Sequence, residues 1–94
     1  MQIEWLRTAL KNLDDEAAHI ALDSPQAAMD FVAAVRLSVE DLARFPAIGR
    51  VGRISGTRDL PMPVYPYLIP YRFRSGRLQI LRIFHTRRLV PARW

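Results

Sequence analysis

A chain of 94 residues, half of them hydrophobic, has the length of one folded domain (residues 1–94) with a modest core. The absence of cysteine excludes disulfides, thiolate zinc sites and a cysteine nucleophile. No apolar run reaches the length of a membrane span and no signal-peptide core is present, so the sequence predicts a cytoplasmic protein. The net charge of +5 is unevenly spread, because residues 44–94 hold eleven of the fourteen basic residues and one of the nine acidic ones. This basic half predicts an anionic partner, either nucleic acid or an acidic protein segment.

The first elements predicted along the chain are a short strand and a helix. Residues 2–5, QIEW, are typical of a strand, and Thr8 is the predicted N-cap of the helix that follows. Spacings of three and four residues then place the apolar side chains of this helix on one stripe. The stripe comprises Leu6, Leu10, Leu13, Ala17 and Ile20.

A second helix is predicted directly after the DSP turn. Ser24 is its predicted N-cap, Pro25 suits the first helical position, and Pro46 ends the element after about Arg44. Two helices joined by so short a turn predict an antiparallel helical hairpin. The second apolar stripe comprises Ala28, Phe31, Val35, Val39 and Leu42.

After a loop over residues 46–59, which is rich in glycine and arginine, the apolar pattern changes to a period of two. This pattern predicts strands over residues 60–64, 66–73 and 77–85. Ser75 and Gly76 form a predicted two-residue hairpin turn between the last two strands. With this turn, the expected cross-strand pairs are Phe73 with Leu78, Tyr71 with Ile80, and Tyr67 with Phe84.

The stretch PVYPYLIPYRF contains three prolines although it alternates like a strand. Proline has no N–H to donate and is found in sheets at edges and bulges. Because the strand over residues 66–73 is expected to be central, we expect Pro70 at a bulge or beyond the end of the neighbouring DLPMPV strand. That neighbour should be short and irregular. The element order predicts an α+β fold, β-α-α-β-β-β, whose antiparallel sheet has the two-helix hairpin packed on one face.

The sequence lacks the motifs of common enzyme chemistry. GRVGRISG does not have the spacing of a nucleotide-binding loop, and His19 and His85 have no carboxylate at metal-ligand spacing. We therefore expect neither a metal nor another cofactor. The remaining candidates are arginines around the sheet. Such a set can bind DNA or an acidic protein, and together with His85 as a base it can cleave RNA. The set comprises Arg50, Arg53, Arg58, Arg72, Arg74, Arg82, Arg87 and Arg88.

Four segments, in this order and spacing, make the chain resemble the RelE/ParE toxin superfamily of bacterial type II toxin–antitoxin systems. They are LARFPAIGR at residues 42–50, GTRDL at 56–60, PYLIPYRF at 66–73 and LQILRIFHTRRLVP at 78–91. The resemblance covers nearly the whole chain. It implies the same β-α-α-β-β-β fold and an acidic, partly disordered antitoxin that folds over the toxin in a hetero-oligomer.

The superfamily divides into RelE-like members, which cleave mRNA in the ribosomal A site, and ParE-like members, which poison DNA gyrase. RelE-like nucleases carry an arginine that handles the scissile phosphate, and the resemblance matches Tyr67 to that position. They also tend to have lysines near the site and a late tyrosine, whereas Lys11 is the only lysine here and no tyrosine follows His85. The resemblance therefore implies a ParE-like inhibitor, without enzymatic activity, that stabilises gyrase-cleaved DNA. A RelE-like ribonuclease is the alternative, and an arginine-rich nucleic-acid-binding module is a further one.

These activities assign different roles to the basic residues. For a gyrase inhibitor, the predicted target contacts lie in the loop and in the tail that ends at Trp94. For a ribonuclease, His85 would be the base, and arginines would stabilise charge on the phosphate. The predicted target contacts are Arg50, Arg53, Arg58, His85, Arg87, Arg88, Arg93 and Trp94. The predicted ribonuclease set is His85, Arg58, Arg72 and Arg82, and the predicted antitoxin contacts are Arg72 and Arg82.

Overall fold

The computed structural model describes residues 2–87. Two helices cover one face of a mixed sheet, in which the strand order is β1-β5-β4-β3-β2 and β6 pairs with the other end of β4. The elements are β1 (Gln2–Trp5), α1 (Arg7–Ala21), α2 (Pro25–Arg44), β2 (Arg50–Val51), β3 (Arg58–Pro61), β4 (Tyr67–Arg74), β5 (Arg77–Ile80) and β6 (Phe84–His85).

The predicted N-cap of α1 is wrong, because the helix begins at Arg7 and Thr8 lies inside it. Leu6 occupies the N-cap position without a side-chain hydrogen bond. The backbone N–H of Leu6 donates to the carbonyl of Ile80 at 3.1 Å, so the chain passes from sheet pairing directly into the helix. Ala9 is the fully buried residue of α1, whereas Leu10, which we placed on the stripe, is 46% exposed.

The predicted start and apolar stripe of α2 are confirmed. The Ser24 hydroxyl accepts a hydrogen bond from the backbone N–H of Ala27 at 3.1 Å, and Pro25 is the first helical residue. This cap satisfies one of the free donors at the helix N-terminus. All five residues of the predicted stripe, Ala28, Phe31, Val35, Val39 and Leu42, are buried, and all but Ala28 belong to the core shared with the sheet.

The sheet is mixed, so the expectation of a wholly antiparallel sheet is wrong at one edge. β1 runs parallel to β5, with Ile3 opposite Leu78 and Trp5 opposite Ile80. A parallel pair needs a long crossover between its strands, and the helices and the other strands supply that connection. The α+β class and the central position of β4 are confirmed.

The β4–β5 hairpin has the predicted turn, and its register changes at a bulge. Ser75 and Gly76 both have positive φ, 53° and 74°, as a tight two-residue turn requires. Cross-strand pairing of Phe73 with Leu78 and of Tyr71 with Ile80 is confirmed. Tyr67 pairs with His85 rather than Phe84, because residues 69–70 of β4 face three residues, 81–83.

Pro70 lies at this bulge, as the sequence predicts. Its carbonyl accepts a hydrogen bond from the N–H of Leu81 at 2.9 Å. In an antiparallel pair the N–H and C=O of one residue point toward the same neighbouring strand. The position where Pro70 lacks an N–H therefore faces the bulge at residues 81–83, where the ladder of hydrogen bonds is interrupted. The bulge therefore accommodates a proline in a central strand, and the carbonyl of Leu81 accepts a hydrogen bond from Arg82 Nη1 at 2.6 Å.

β3 is short, and the chain after it is irregular. The strand ends at Pro61, whereas alternation predicted it to continue to Val64, which is 87% exposed. A hydrogen bond from the N–H of Tyr67 to the carbonyl of Tyr65, at 2.7 Å, closes the tight turn into β4. Neither helix within residues 2–87 is long and apolar enough to cross a membrane.

Candidate functional site

The central strand β4 presents two chemically different faces. Side chains at alternate positions point to opposite faces of a sheet. Tyr67, Ile69, Tyr71 and Phe73 lie on the face toward the helices, which we call the inner face. The face away from the helices, the outer face, carries Leu68, Pro70, Arg72 and Arg74, whose exposure increases toward the hairpin turn.

Tyr67 is a packing residue of the inner face. Its side chain is 5% exposed, and its hydroxyl donates to Glu16 Oε1 at 2.8 Å. The ring centroid lies 4.6 Å from that of Phe31 and 5.0 Å from that of His85. The next residue, Leu68, is on the outer face and is also buried. Tyr67 and Leu68 therefore supply no cation at this point of β4.

The hydroxyl of Tyr71 anchors the loop that follows α2. It accepts a hydrogen bond from the N–H of Gly49 at 2.9 Å and donates to the carbonyl of Pro46 at 2.7 Å. Gly49 has no room for a side chain, because a Cβ would lie 2.5 Å from this hydroxyl oxygen. Burial raises the pKa of Tyr71, which keeps the hydroxyl protonated and able to donate.

Arg58 takes part in the same anchor. It pairs with Tyr71 across β3 and β4, and its Nη1 donates to the carbonyl of Gly49 at 2.9 Å. This half-buried guanidinium fixes the start of the arginine-containing loop. Its position on the inner face separates it from the outer-face arginines.

Two other predicted loop arginines, Arg50 and Arg53, are exposed beside a buried carboxylate. Arg50 pairs with Asp59, which is 8% exposed. Burial raises the pKa of Asp59, and the nearby guanidiniums of Arg53 and Arg50 and the backbone N–H of Arg53 act against this rise. The loop therefore presents positive charge at the β2 edge of the sheet.

A hydrogen-bonded network crosses three strands on the outer face. Arg72 Nε donates to Gln79 Oε1 at 2.8 Å, and Gln79 Nε2 donates to Glu4 Oε1 at 2.6 Å. Arg77 Nη1 donates to the other carboxylate oxygen of Glu4 at 3.2 Å. The predicted hairpin register indicated that Arg72 and Gln79 meet. No sequence signal indicated Glu4, since β1 joins this face through a parallel pairing that alternation does not encode.

Two of the predicted ribonuclease residues, His85 and Arg72, lie far apart in the structure. His85 is opposite Tyr67, whereas Arg72 is five residues further along β4, about 17 Å away at the rise of a strand, and on the other face. The Nδ1 atom of His85 accepts a hydrogen bond from the N–H of Arg87 at 3.1 Å. Arg82 is in the bulge and donates to the carbonyl of Leu81 at 2.6 Å. A scissile phosphate could not contact His85 and Arg72 at once.

The remaining predicted contacts lie in the tail. Arg87 is exposed, and Arg88, Arg93 and Trp94 fall outside the described residues. Within residues 2–87, no group of three or more histidine, cysteine or acidic side chains could hold a metal ion.

An apolar groove of about 430 Å³ runs between the helices and the β1 edge. Leu10 is 46% exposed there, which explains why a residue of the predicted stripe is absent from the core. The lining residues are Ile3, Trp5, Leu10, Leu13, Val32, Val35, Arg36, Val39 and Glu40.

Comparison with known proteins identifies the class of this fold. A family model described as "ParE toxin of type II toxin-antitoxin system, parDE" matches residues 3–90. A protein of Sinorhizobium fredii named "Putative toxin Y4kP" is 42% identical over 90 residues, which are 96% of this chain and 93% of that protein. "Toxin RelE2" of Caulobacter vibrioides is 33% identical over 88 residues, 94% of this chain and 98% of that protein.

A solved structure agrees with these sequence relatives. It is described as the chromosomal ParDE TA system from P. aeruginosa and superposes with a TM-score of 0.82 at 30% identity, over 90% of this chain and 95% of that one. The resemblance to the RelE/ParE superfamily is thereby confirmed. The chain belongs to the ParE toxin family of type II toxin–antitoxin systems.

Proposed function

We propose that this toxin inhibits DNA gyrase in the cytoplasm and stabilises cleaved DNA, and that a cognate acidic antitoxin neutralises it. The observation that carries this proposal is Tyr67. The position that the RelE resemblance gives to a phosphate-handling arginine is filled by a buried tyrosine bonded to Glu16. A tyrosine packs and stacks but supplies no fixed positive charge to a phosphate.

The separation of the basic residues supports the same proposal. RNA cleavage without a metal needs a base and cations that meet around one phosphate. Here Arg58 binds the Gly49 carbonyl on the inner face, and Arg72 binds Gln79 on the outer face. A protein that acts by binding its target needs no such convergence.

Two reconstituted systems test the proposal. Purified toxin added to gyrase, plasmid DNA and ATP should increase the amount of cleaved DNA in proportion to toxin concentration. The same preparation in a purified translation system should leave the mRNA intact at every codon. Ribosome-dependent cuts that disappear in His85→Ala would establish the ribonuclease instead, since a general base typically contributes about 10²–10⁴-fold.

Growth provides the test of the toxin–antitoxin pair. Expression of this chain alone should stop bacterial growth, and coexpression of the acidic antitoxin should restore it. Normal growth with soluble, folded protein in the cells would contradict the toxin proposal. The P. aeruginosa neighbour, described as a ParDE system, supports an antitoxin partner.

The antitoxin is proposed to bind by a helix in the apolar groove, by added strand pairing, or by both, with Arg72 and Arg82 as ion-pair sites. The groove has the apolar lining that one face of an amphipathic helix requires. Replacing Arg72 or Arg82 with Glu should raise the Kd for the antitoxin. An unchanged Kd for both variants would remove these residues from the interface.

The proposed target contacts are the loop arginines and the tail. Arg50 and Arg53 are exposed and available to a partner. Arg58, whose guanidinium binds Gly49, would act mainly by holding the loop in place. Deletion of residues 86–94 should abolish gyrase poisoning while the helices and sheet stay folded, as circular dichroism would show. Undiminished poisoning by this truncated chain would exclude the tail.

A ribosome-dependent ribonuclease is the second candidate. The relative of Caulobacter vibrioides named "Toxin RelE2" favours it, as does a histidine beside Arg87 at the end of the sheet. The translation assay described above separates the two candidates.

A further inference from the structure

The end of the β4–β5 hairpin concentrates positive charge on the outer face. Arg74 and Arg77 are directly opposite each other across the hairpin, and Arg72 precedes Arg74 by two residues on the same face. We call these three the hairpin arginines. Like charges directly opposite each other destabilise a strand pair. Repulsion between Arg74 and Arg77 therefore lowers the stability of the hairpin, and a bound anion would reduce this repulsion.

The charge of the hairpin arginines is only partly balanced within the protein. Glu4 is the one carboxylate bonded to this group in the described part of the chain, through Arg77. Arg72 is bonded through Nε to the neutral amide of Gln79, and Arg74 makes no hydrogen bond or ion pair with residues 2–87. The group therefore keeps a net of two positive charges. Gln79 also orients Arg72, because the same amide is held from its other end by Glu4.

The surroundings of Arg74 and Arg77 favour a phosphate backbone over an acidic protein segment, whereas Arg72 is also a proposed ion-pair site for the antitoxin. The Trp, Tyr and Arg side chains that dominate protein interfaces act from well-packed, desolvated pockets, whereas Arg74 and Arg77 are exposed at the end of a hairpin. The aromatic residue of the hairpin, Phe73, lies on the inner face, and the turn itself is Ser75-Gly76. Guanidinium groups bind phosphate through two parallel hydrogen bonds, which requires no apolar anchor.

The same surroundings favour duplex over single-stranded nucleic acid. Single strands are bound through aromatic side chains on which the bases stack. The aromatic side chains of β4, Tyr67, Tyr71 and Phe73, all lie on the inner face. The amide of Gln79 is bonded at both ends and is not free to read a base edge.

We propose that the hairpin arginines bind the phosphate backbone of duplex DNA without sequence preference, so that the toxin contacts DNA as well as gyrase. This inference rests on the proposed function for its biological context, since gyrase presents the DNA. Binding by itself does not require gyrase and can be measured with DNA alone.

The test is the salt dependence of binding between the purified toxin and a short fluorescent DNA duplex, followed by anisotropy. Three phosphate contacts predict that log K falls with log salt at a slope of about −2.7, whatever the duplex sequence. Arg74→Gln and Arg77→Gln should each reduce the steepness of this slope by about 1. Arg7→Gln, an exposed arginine at the start of α1, is the matched control and should leave the slope unchanged.

Arg74→Gln removes no hydrogen bond or ion pair among residues 2–87. If its thermal unfolding matches that of the wild type, a reduced salt dependence cannot be attributed to misfolding. Absence of salt-dependent binding, a slope unchanged from the wild type in both hairpin variants, or binding only to single-stranded RNA would overturn the inference. DNA binding without accumulation of gyrase-cleaved DNA would uphold this inference and refute the proposed function. Accumulation of gyrase-cleaved DNA without salt-dependent binding of the toxin to DNA would refute this inference and uphold the proposed function.

Discussion

The inner and outer faces of β4 differ in how their polar groups are partnered. On the inner face, the hydroxyls of Tyr67 and Tyr71 are buried and bonded to Glu16 and to the loop backbone. On the outer face, the hairpin arginines outnumber their carboxylate partner, Glu4. Because successive residues of a strand alternate between faces, one short segment supplies both a core and a charged surface. The aromatic side chains of β4 therefore stabilise the fold, whereas the outer face becomes charged and exposed toward Arg72 and Arg74.

The largest expected effect of a substitution lies on the inner face. Phe31 is fully buried and its ring contacts those of Tyr65 and Tyr67. Phe31→Ala should lower the free energy of unfolding by about 3–5 kcal/mol through lost burial and a cavity. Leu37→Ala is the control on the same helix, since Leu37 is 61% exposed, and should change it by less than about 0.5 kcal/mol. If urea unfolding showed a similar loss of unfolding free energy for both variants, the assignment of buried and exposed faces would be contradicted.

A smaller loss is expected when only the anchoring hydroxyl is removed. Tyr71→Phe keeps the ring but leaves the N–H of buried Gly49 and the carbonyl of Pro46 without this partner. Unfolding free energy should fall by about 1–3 kcal/mol. Tyr65→Phe is the matched control, because the Tyr65 hydroxyl has no hydrogen-bond partner among residues 2–87. Equal denaturation midpoints for the two variants would show that the hydroxyl does not anchor the loop.

The buried carboxyl of Asp59 should give a pH-dependent effect of known sign. Burial raises its pKa above the ordinary value of 3.8, so the folded state holds the proton more tightly than the unfolded state. The protonated carboxyl makes its full contribution to stability at pH values below 3.8, and this contribution is lost as the pH rises through the raised pKa. Between about pH 3 and pH 7, the wild type should therefore lose stability relative to Asp59→Asn in urea unfolding. A difference that stays constant with pH, or changes in the opposite sense, would contradict this.

The smallest effect on stability is expected on the outer face. Arg74→Gln should change the unfolding free energy by no more than about 0.5 kcal/mol, since the residue is exposed and makes no bond within residues 2–87. Relief of the repulsion with Arg77 would make the change favourable. A clear loss of stability in thermal unfolding would show that Arg74 belongs to the structural part of the strand.

Features fixed by local spacing could be predicted from the sequence. The buried stripe of α2 follows from a period near 3.6, and the pairing of Phe73 with Leu78 follows from the Ser75-Gly76 turn. Even Pro70 could be assigned to a bulge, because proline lacks the N–H that a continuous ladder needs. The bulge nonetheless shifted the pairing of Tyr67 by one residue, since the pattern does not say which strand holds the extra residue.

Contacts between distant residues could not be predicted in the same way. Glu4 and Gln79 are far apart in sequence and meet only because β1 pairs with β5. The bond from Gly49 to Tyr71 likewise depends on how the loop after α2 returns to the sheet. Thr8 was a reasonable cap by residue type, but pairing of Leu6 with Ile80 starts the helix earlier. The sequence therefore indicated candidate site residues, but not the partners, Glu4 and Gly49, that the fold brings to the sheet.

The most direct test of the division between the two faces is gyrase-dependent DNA cleavage with a variant in which Arg72, Arg74 and Arg77 are all replaced by Gln. This variant should unfold at nearly the wild-type midpoint yet need at least about tenfold more toxin to give the same amount of cleaved plasmid, which is the effect of losing about 1.4 kcal/mol of binding. Arg7→Gln should match the wild type. Cleaved DNA at the wild-type level with the triple variant, or none with the wild type itself, would contradict the account.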